Sequence, residues 1–190
     1  MATEGEKTEV LYFNGLKDEI NKKYSNSVES FTIDIRGLGK ETLRVIEEIE
    51  DVRRHAPIVY EHIWAVFYKD DFPNDHFDNA ITKAKAHNIN TAWSNESFEL
   101  WYCLHFSLQQ SALSRGAYNV SLDNLLKAKG YPGYSKIDSG IYPILRPYMD
   151  TAIKHAKKLD THYTDLTYSK RNPCTKVYKL VEELKEIIDK

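Results

Sequence analysis

Two adjacent carboxylates follow one of the most apolar stretches of the chain. Residues 62–68 form an almost continuous apolar run, which predicts a strand buried on both faces, and Asp70 and Asp71 come just after it. Carboxylates on a loop after a buried strand can hold Mg²⁺ by one or two oxygens and leave its other positions to water and phosphate. The alternative is an acidic loop or a helix-capping aspartate. The pair predicts a magnesium site, and Lys69 beside it is a predicted nucleic-acid contact.

Further carboxylates stand near the start of the chain and near its middle. Glu4 opens a short acidic segment in which Gly5 permits a tight turn, although a solvated terminal segment has the same composition. Glu99 lies near the start of an apolar helix predicted from about residue 97, where it is either a partner of the helix dipole or an acid facing the strand ends. His105, later in that helix, is predicted to be a buried core histidine.

Positive charge is concentrated in the second half of the chain. Between residues 107 and 179 there are twelve Lys and Arg against five Asp and Glu, with tyrosines interleaved. Such a surface attracts phosphates and offers rings on which bases stack, although ordinary solvated helix faces look the same in sequence. The candidate nucleic-acid contacts in this half are Lys136, Lys157, Lys158 and Arg171.

The elements that must position these residues alternate up to residue 106. Helical and strand patterns predict strands at 28–35, 62–68 and 89–93, and helices alone after residue 107, at 107–115, 121–129, 139–160 and 173–189. This order predicts an α/β fold, with a mostly parallel sheet flanked by helices and an all-helical C-terminal elaboration.

The predicted architecture also places the site. We expect residues 1–106 to form the α/β core and residues 107–190 a helical extension packed on it, as one structural unit. Ligands of open parallel sheets bind at the carboxyl ends of the strands, which here are residues 68–75 and 94–99.

Composition excludes several classes of protein. The net charge of −2 gives no overall preference for nucleic acid, and the two cysteines lack metal-ligand spacing. No apolar stretch is long enough to span a membrane and no signal peptide is apparent, so we expect a cytoplasmic protein. Walker A, GxGxxG, HExxH and GxSxG motifs are missing, which disfavours NTPases, dinucleotide enzymes, zincins and α/β-hydrolases.

Four segments together resemble the RloB-like family. They read EGEKTEVLYFNGLK at 4–17, VFYKDDFPNDHFDNAITKA at 66–84, NINTAWSNESFELWYCLHF at 88–106 and NPCTKVYKLVEELKE at 172–186. The resemblance implies a TOPRIM-like sheet, a role in anti-phage defence or abortive infection, and often an AAA-type ATPase as partner. It does not determine the oligomeric state, and a homo-oligomer is one possibility.

The resemblance also implies roles for individual residues. In TOPRIM-type catalysis a glutamate after the first strand, here Glu4, acts as general acid or base, and an Asp-x-Asp after a later strand binds Mg²⁺ or Mn²⁺. Asp70 corresponds to the second aspartate, whereas Tyr68 replaces the first, and a phenol is no substitute for a carboxylate ligand. We expect Asp71 or Glu99 to supply the missing oxygen.

The first strand departs from the family pattern as well. Only three residues precede Glu4, so we expect either that the chain starts late or that the sheet lacks its central strand.

These observations predict a metal-dependent nuclease of a bacterial anti-phage system that acts on RNA, including tRNA, or on DNA. The alternative is a non-catalytic nucleic-acid-binding or regulatory subunit of an AAA-type ATPase. A third hypothesis is a structural partner that only docks on such an ATPase.

Overall fold

The computed structural model describes residues 1–69, 73–163 and 165–190. A 3₁₀ turn at Arg146–Tyr148 joins two of the helices, and another lies at Tyr168–Lys170. The strands and longer helices are β1 (Ala2–Thr3), α1 (Thr8–Tyr24), β2 (Arg36–Gly37), α2 (Thr42–His55), β3 (Trp64–Tyr68), α3 (Asn74–Ala86), β4 (Asn90–Asn95), α4 (Glu99–Leu104), α5 (Arg115–Ala128), α6 (Ile141–Leu145), α7 (Met149–Asp160), β5 (Cys174–Thr175) and α8 (Val177–Asp189).

The strands form one sheet in the order β2-β1-β3-β4-β5. All neighbours are parallel except β4 and β5, which are antiparallel. The predicted fold class is therefore confirmed: an α/β protein with a mostly parallel sheet flanked by helices, and further helices in the C-terminal half.

The first strand is present in the interior of the sheet, between β2 and β3, although it is only two residues long. Ala2 lies between Arg36 and Ala65, and Thr3 lies between Gly37 and Val66. The expectation that the sheet lacks this strand is wrong. Two residues have no periodicity, which is why the sequence pattern did not reveal the strand.

The strand predicted at residues 28–35 is wrong, because β2 forms only at Arg36–Gly37, where a turn was expected. The alternating residues Phe31, Ile33 and Ile35 instead pack, partly buried, against the hydrophobic core. Strand β1 is too short to pair with the whole alternating segment, which is held at its end by a hydrogen bond from the N-terminal ammonium of Met1 to Asp34 O at 2.6 Å. A Cβ at Gly37 would lie 2.8 Å from Val10 Cγ2, so glycine lets β2 pass close to α1.

The sheet is buried on both faces, as the apolar run before Asp70 predicted. Trp64 and Val66 of β3 belong to one hydrophobic cluster, while Ala65 and Phe67 belong to the other. This alternation follows from the two-residue period of a strand. Helices α2 and α3 cover one face, and α1 with α4–α8 covers the other.

The helix predicted at residues 107–115 is wrong, and the helices predicted at 121–129 and 139–160 have other boundaries. Residues 107–114 are irregular, and α5 begins only after Ser114, whose hydroxyl accepts a hydrogen bond from Ala117 N at 3.4 Å. The helix predicted over 139–160 is divided into α6 and α7 by the 3₁₀ turn that contains Pro147.

The end of the chain returns to the sheet. Cys174 and Thr175, expected to be helical, pair with Asn95 and Ser94 as strand β5, and α8 starts after them. Among the residues that the structure describes, no helix is long and apolar enough to cross a bilayer.

Candidate active-site cleft

Glu4 stands where β1 ends and beside the end of β3. Its backbone N–H donates to Val66 O at 2.8 Å, and one oxygen of its carboxylate accepts a hydrogen bond from the Tyr68 backbone N–H at 3.1 Å. The side chain is buried. Strand pairing therefore fixes this carboxylate at the carboxyl edge of the sheet, where the sequence predicted the site.

A cleft of about 210 Å³ opens at this edge, and Tyr68 lies in its wall. The loop before α1 and the starts of α4 and α5 form the remaining walls, together with the loop after α5. Its charged lining residues include Glu9, Glu99, Arg115 and Lys136. Carboxylates and cations in one cleft suit a phosphorylated ligand, since cations hold phosphate oxygens while carboxylates move protons.

Glu9 is the last carboxylate of the acidic segment that begins at Glu4, and the sequence predicted no role of its own for it. It is only 2 % exposed, and its Oε1 has no hydrogen-bond partner among the described residues. Burial, with the negative charge of Glu99 adding to it, raises the pKa of Glu9 to about 7. A carboxyl group that titrates near neutral pH can both accept and donate a proton.

Local sequence explains how this carboxylate is accommodated. A Cβ at Gly5 would lie 2.2 Å from Glu9 Oε2, so glycine leaves room for the buried side chain. Glu9 shares the buried face of α1 with Phe13, Leu16 and Ile20. An acidic residue on an otherwise apolar stripe is the signal in the sequence that could have found it.

Glu99 lies at the start of α4 and is buried, at the strand ends where the sequence placed it. Its Oε1 accepts a hydrogen bond from the Tyr134 hydroxyl at 3.0 Å and lies 3.5 Å from Lys136 Nζ. Burial and the neighbouring carboxylate raise the pKa of Tyr134, which stays a neutral donor. Tyr134 was not predicted as a site residue.

Tyr68, which stands at the position where the resemblance implied an aspartate, contacts a cation. The Arg115 guanidinium lies 5.3 Å from the centre of the Tyr68 ring, within the range of a cation–π contact. With Lys136, whose side chain is 40 % exposed, Arg115 brings a second positive charge to the cleft.

The predicted metal ligands Asp70 and Asp71 lie outside the described residues. Within residues 1–69, 73–163 and 165–190, no group of three His, Cys, Asp or Glu side chains could hold a metal ion. The donor chemistry nevertheless fits, since carboxylate oxygens are the ligands that Mg²⁺ prefers and Glu9 Oε1 has no described partner. Asp70 and Asp71 stay the predicted ligands.

The predicted nucleic-acid contacts do not all gather at this cleft. Lys136 lines it, whereas Lys157 pairs with Glu182 at 2.5 Å on another part of the surface. Lys158 is exposed beside it on α7, and Lys69 is largely buried after β3.

Two further residues lie away from this cleft. The Arg171 side chain donates to Leu166 O at 2.8 Å and covers the Tyr168 ring. His105 is buried, as predicted, with Nδ1 2.9 Å from Trp101 O, and burial lowers its pKa to about 4.

The fold and the cleft define an α/β protein with a cleft lined by acidic and basic side chains at the carboxyl edge of its sheet. A family model described as RloB-like protein matches residues 1–184, and the chain belongs to that family. No curated protein and no solved structure matches the chain.

Proposed function

We propose that this protein is a metal-dependent nuclease of a bacterial anti-phage defence system, acting on RNA, including tRNA, or on DNA. One observation carries the proposal: the carboxylates of Glu9 and Glu99 share a cleft with Arg115 and Lys136, beside Glu4 at the carboxyl edge of the sheet. Membership of the RloB-like family supports the defence role and an AAA-type ATPase as partner.

The residues divide the work of phosphodiester hydrolysis by charge. Arg115 and Lys136 hold the scissile phosphate, because guanidinium and ammonium groups bind its oxygens. The two proton-transfer groups are Glu4, which the Tyr68 N–H fixes, and Glu9, whose pKa lies near neutral. One of them accepts a proton from the attacking water, and the other donates a proton to the leaving oxygen. Glu99 orients Lys136 through their ion pair.

A divalent cation completes this proposed site. Asp70 and Asp71 would hold it, and when bound it stabilises charge on the phosphate and lowers the pKa of water. Mg²⁺ needs only one or two protein carboxylates, since water and phosphate oxygens fill its other positions.

The test compares wild-type protein with Asp70→Ala, alone and with the partner ATPase. Substrates are tRNA, single-stranded RNA and plasmid DNA with Mg²⁺ or Mn²⁺, and Mn²⁺ binding is measured in parallel by calorimetry. We expect Asp70→Ala to lose both cleavage and Mn²⁺ binding, whereas Asp18→Ala, an exposed acid on α1, keeps both. If the wild-type protein cleaves none of these substrates, the proposed nuclease activity is refuted.

One observation favours a non-catalytic nucleic-acid-binding or regulatory subunit as the second candidate. Tyr68 stands in place of a metal ligand, and its ring contacts Arg115 instead. Such a subunit would bind nucleic acid without metal and lose affinity as salt rises. Replacing Lys157 and Lys158 with Glu would weaken binding, while Asp70→Ala would leave it unchanged.

A further inference from the structure

A second groove lies at the opposite edge of the sheet from the cleft. It has a volume of about 600 Å³, and the first residues of β3 and β4, Trp64 and Asn90, form part of its wall. Its charged lining residues are all cations, namely Lys85, Arg171, Lys176 and Lys179.

Sheet topology explains why these four cations meet. Because β5 runs antiparallel to β4, the chain turns back along β4, and Lys176 N donates to Trp93 O at 2.7 Å. Helix α8 then begins, with Lys179 in its first turn. Lys85 comes from the last turn of α3, and Arg171 from the segment just before β5.

Most of this positive charge is not neutralised. Lys176 pairs with Asp160, but Lys85 and Lys179 are exposed and form no ion pair within the described part of the chain. Arg171 uses its Nε on a backbone carbonyl, which leaves its charge in place.

The position of Lys179 is unfavourable for helix stability. It lies in the first turn of α8, where the helix dipole favours anions, and that turn contains no acidic residue. Asp160 neutralises Lys176 beside it, whereas Lys179 adds to the positive potential at one end of the groove. An anionic ligand would relieve this unfavourable arrangement.

We propose that this groove binds the phosphodiester backbone of a nucleic acid, at a part of the strand that lies outside the cleft. The inference rests on the proposed function for its substrate. A nucleoside triphosphate carries the same phosphate chemistry, but the groove offers little for a base to stack on. Trp64 and Trp93 are 7 % and 1 % exposed, and Arg171 covers the Tyr168 ring.

Binding to this groove is measured without metal, so that it does not depend on catalysis. The probe is a short fluorescein-labelled single-stranded RNA in EDTA, followed by anisotropy over a salt series. The variant is Lys85→Glu with Lys179→Glu, and the matched control is Lys22→Glu with Lys154→Glu, which reverses two exposed lysines that do not line the groove.

We expect the groove variant to bind RNA about tenfold more weakly than the control, with a slope of log K against log salt smaller by about 1.4 for two lost phosphate contacts. Equal affinity and slope for variant and control would overturn the proposal. So would displacement of the RNA by ATP at concentrations where unlabelled RNA does not compete, because the groove would then be a nucleotide site. If RNA binding depends on these lysines but the protein cleaves no substrate, the proposed nuclease activity is refuted and the proposed binding groove is supported.

Discussion

The backbone N–H of Tyr68 donates a hydrogen bond to the Glu4 carboxylate at 3.1 Å, which joins the end of β3 to the residue after β1. The contact uses the backbone and not the phenol ring. A tyrosine at position 68 therefore supports Glu4 as well as any other residue with a backbone N–H would.

Glu4→Gln should slow cleavage strongly while keeping the fold. The amide oxygen of Gln can still accept from Tyr68 N–H, but the side chain no longer transfers a proton, so we expect a rate loss of about 100-fold or more. Cleavage rates and thermal melts of the two proteins check this. Glu29→Gln, at an exposed position, should behave as wild type, and a Glu4→Gln variant that does so too would exclude Glu4 from the chemistry.

Glu9→Gln should change how stability depends on pH. Burial raises the pKa of Glu9 from 4.5 to about 7, so between these values the folded state retains a proton that the unfolded state releases. The contribution of Glu9 to stability therefore falls as pH rises through this window. From pH 4 to pH 8, the free energy of unfolding of the variant should rise by about 3 kcal/mol relative to that of wild type. Urea unfolding at a series of pH values measures this, and parallel curves would contradict it.

Tyr134→Phe should lower the stability of the protein by removing a hydrogen bond to Glu99. The substitution removes the hydroxyl that donates to Glu99 Oε1, and a buried carboxylate that loses a donor costs about 1–3 kcal/mol of stability. We expect slower cleavage as well, because Glu99 orients Lys136. Tyr131→Phe removes the same hydroxyl from a partly buried tyrosine in the same loop and is the control. An equal loss of stability and of cleavage rate in both variants would show that the hydrogen bond to Glu99 is unimportant.

Gly5→Ala should displace Glu9. The added methyl group would lie 2.2 Å from Glu9 Oε2, and such overpacking costs about 1–3 kcal/mol. The cost should shrink in a Glu9→Ala background, which unfolding measurements on the four proteins of this cycle would reveal. Gly116→Ala has nothing within 4 Å of its new methyl group and lies in α5, so it should stabilise by up to about 1 kcal/mol. Destabilisation by Gly5→Ala that persists without Glu9 would contradict the packing explanation.

Sequence patterns revealed the fold where burial and periodicity coincide. The apolar run that ends at Tyr68 predicted β3 correctly because both faces of that strand are buried. The alternation at residues 28–35 misled because partial burial of Phe31 and Ile33 produces the same pattern without strand pairing.

The candidate site was predictable only in part. The position of Glu99 at the start of a helix after a strand was predicted correctly, since α4 follows β4 directly, whereas its role stays a prediction. Its contact with Tyr134 joins residues 35 positions apart, with helix α5 between them in the chain, and no local pattern encodes such a contact. Glu9 was missed because one acid does not disturb the amphipathic pattern of α1.

The packing of α8 against α1 sets an order of events during synthesis. Tyr24 Oη donates to Ile187 O at 2.9 Å across 163 residues of chain, and Tyr12, Leu16 and Leu180 share one core. A ribosome must therefore produce most of the protein before the apolar side of α1 is covered, and contacts at this separation form slowly. Until then the apolar side of α1 is exposed on the nascent chain, and exposed hydrophobic surface of this kind is prone to aggregation.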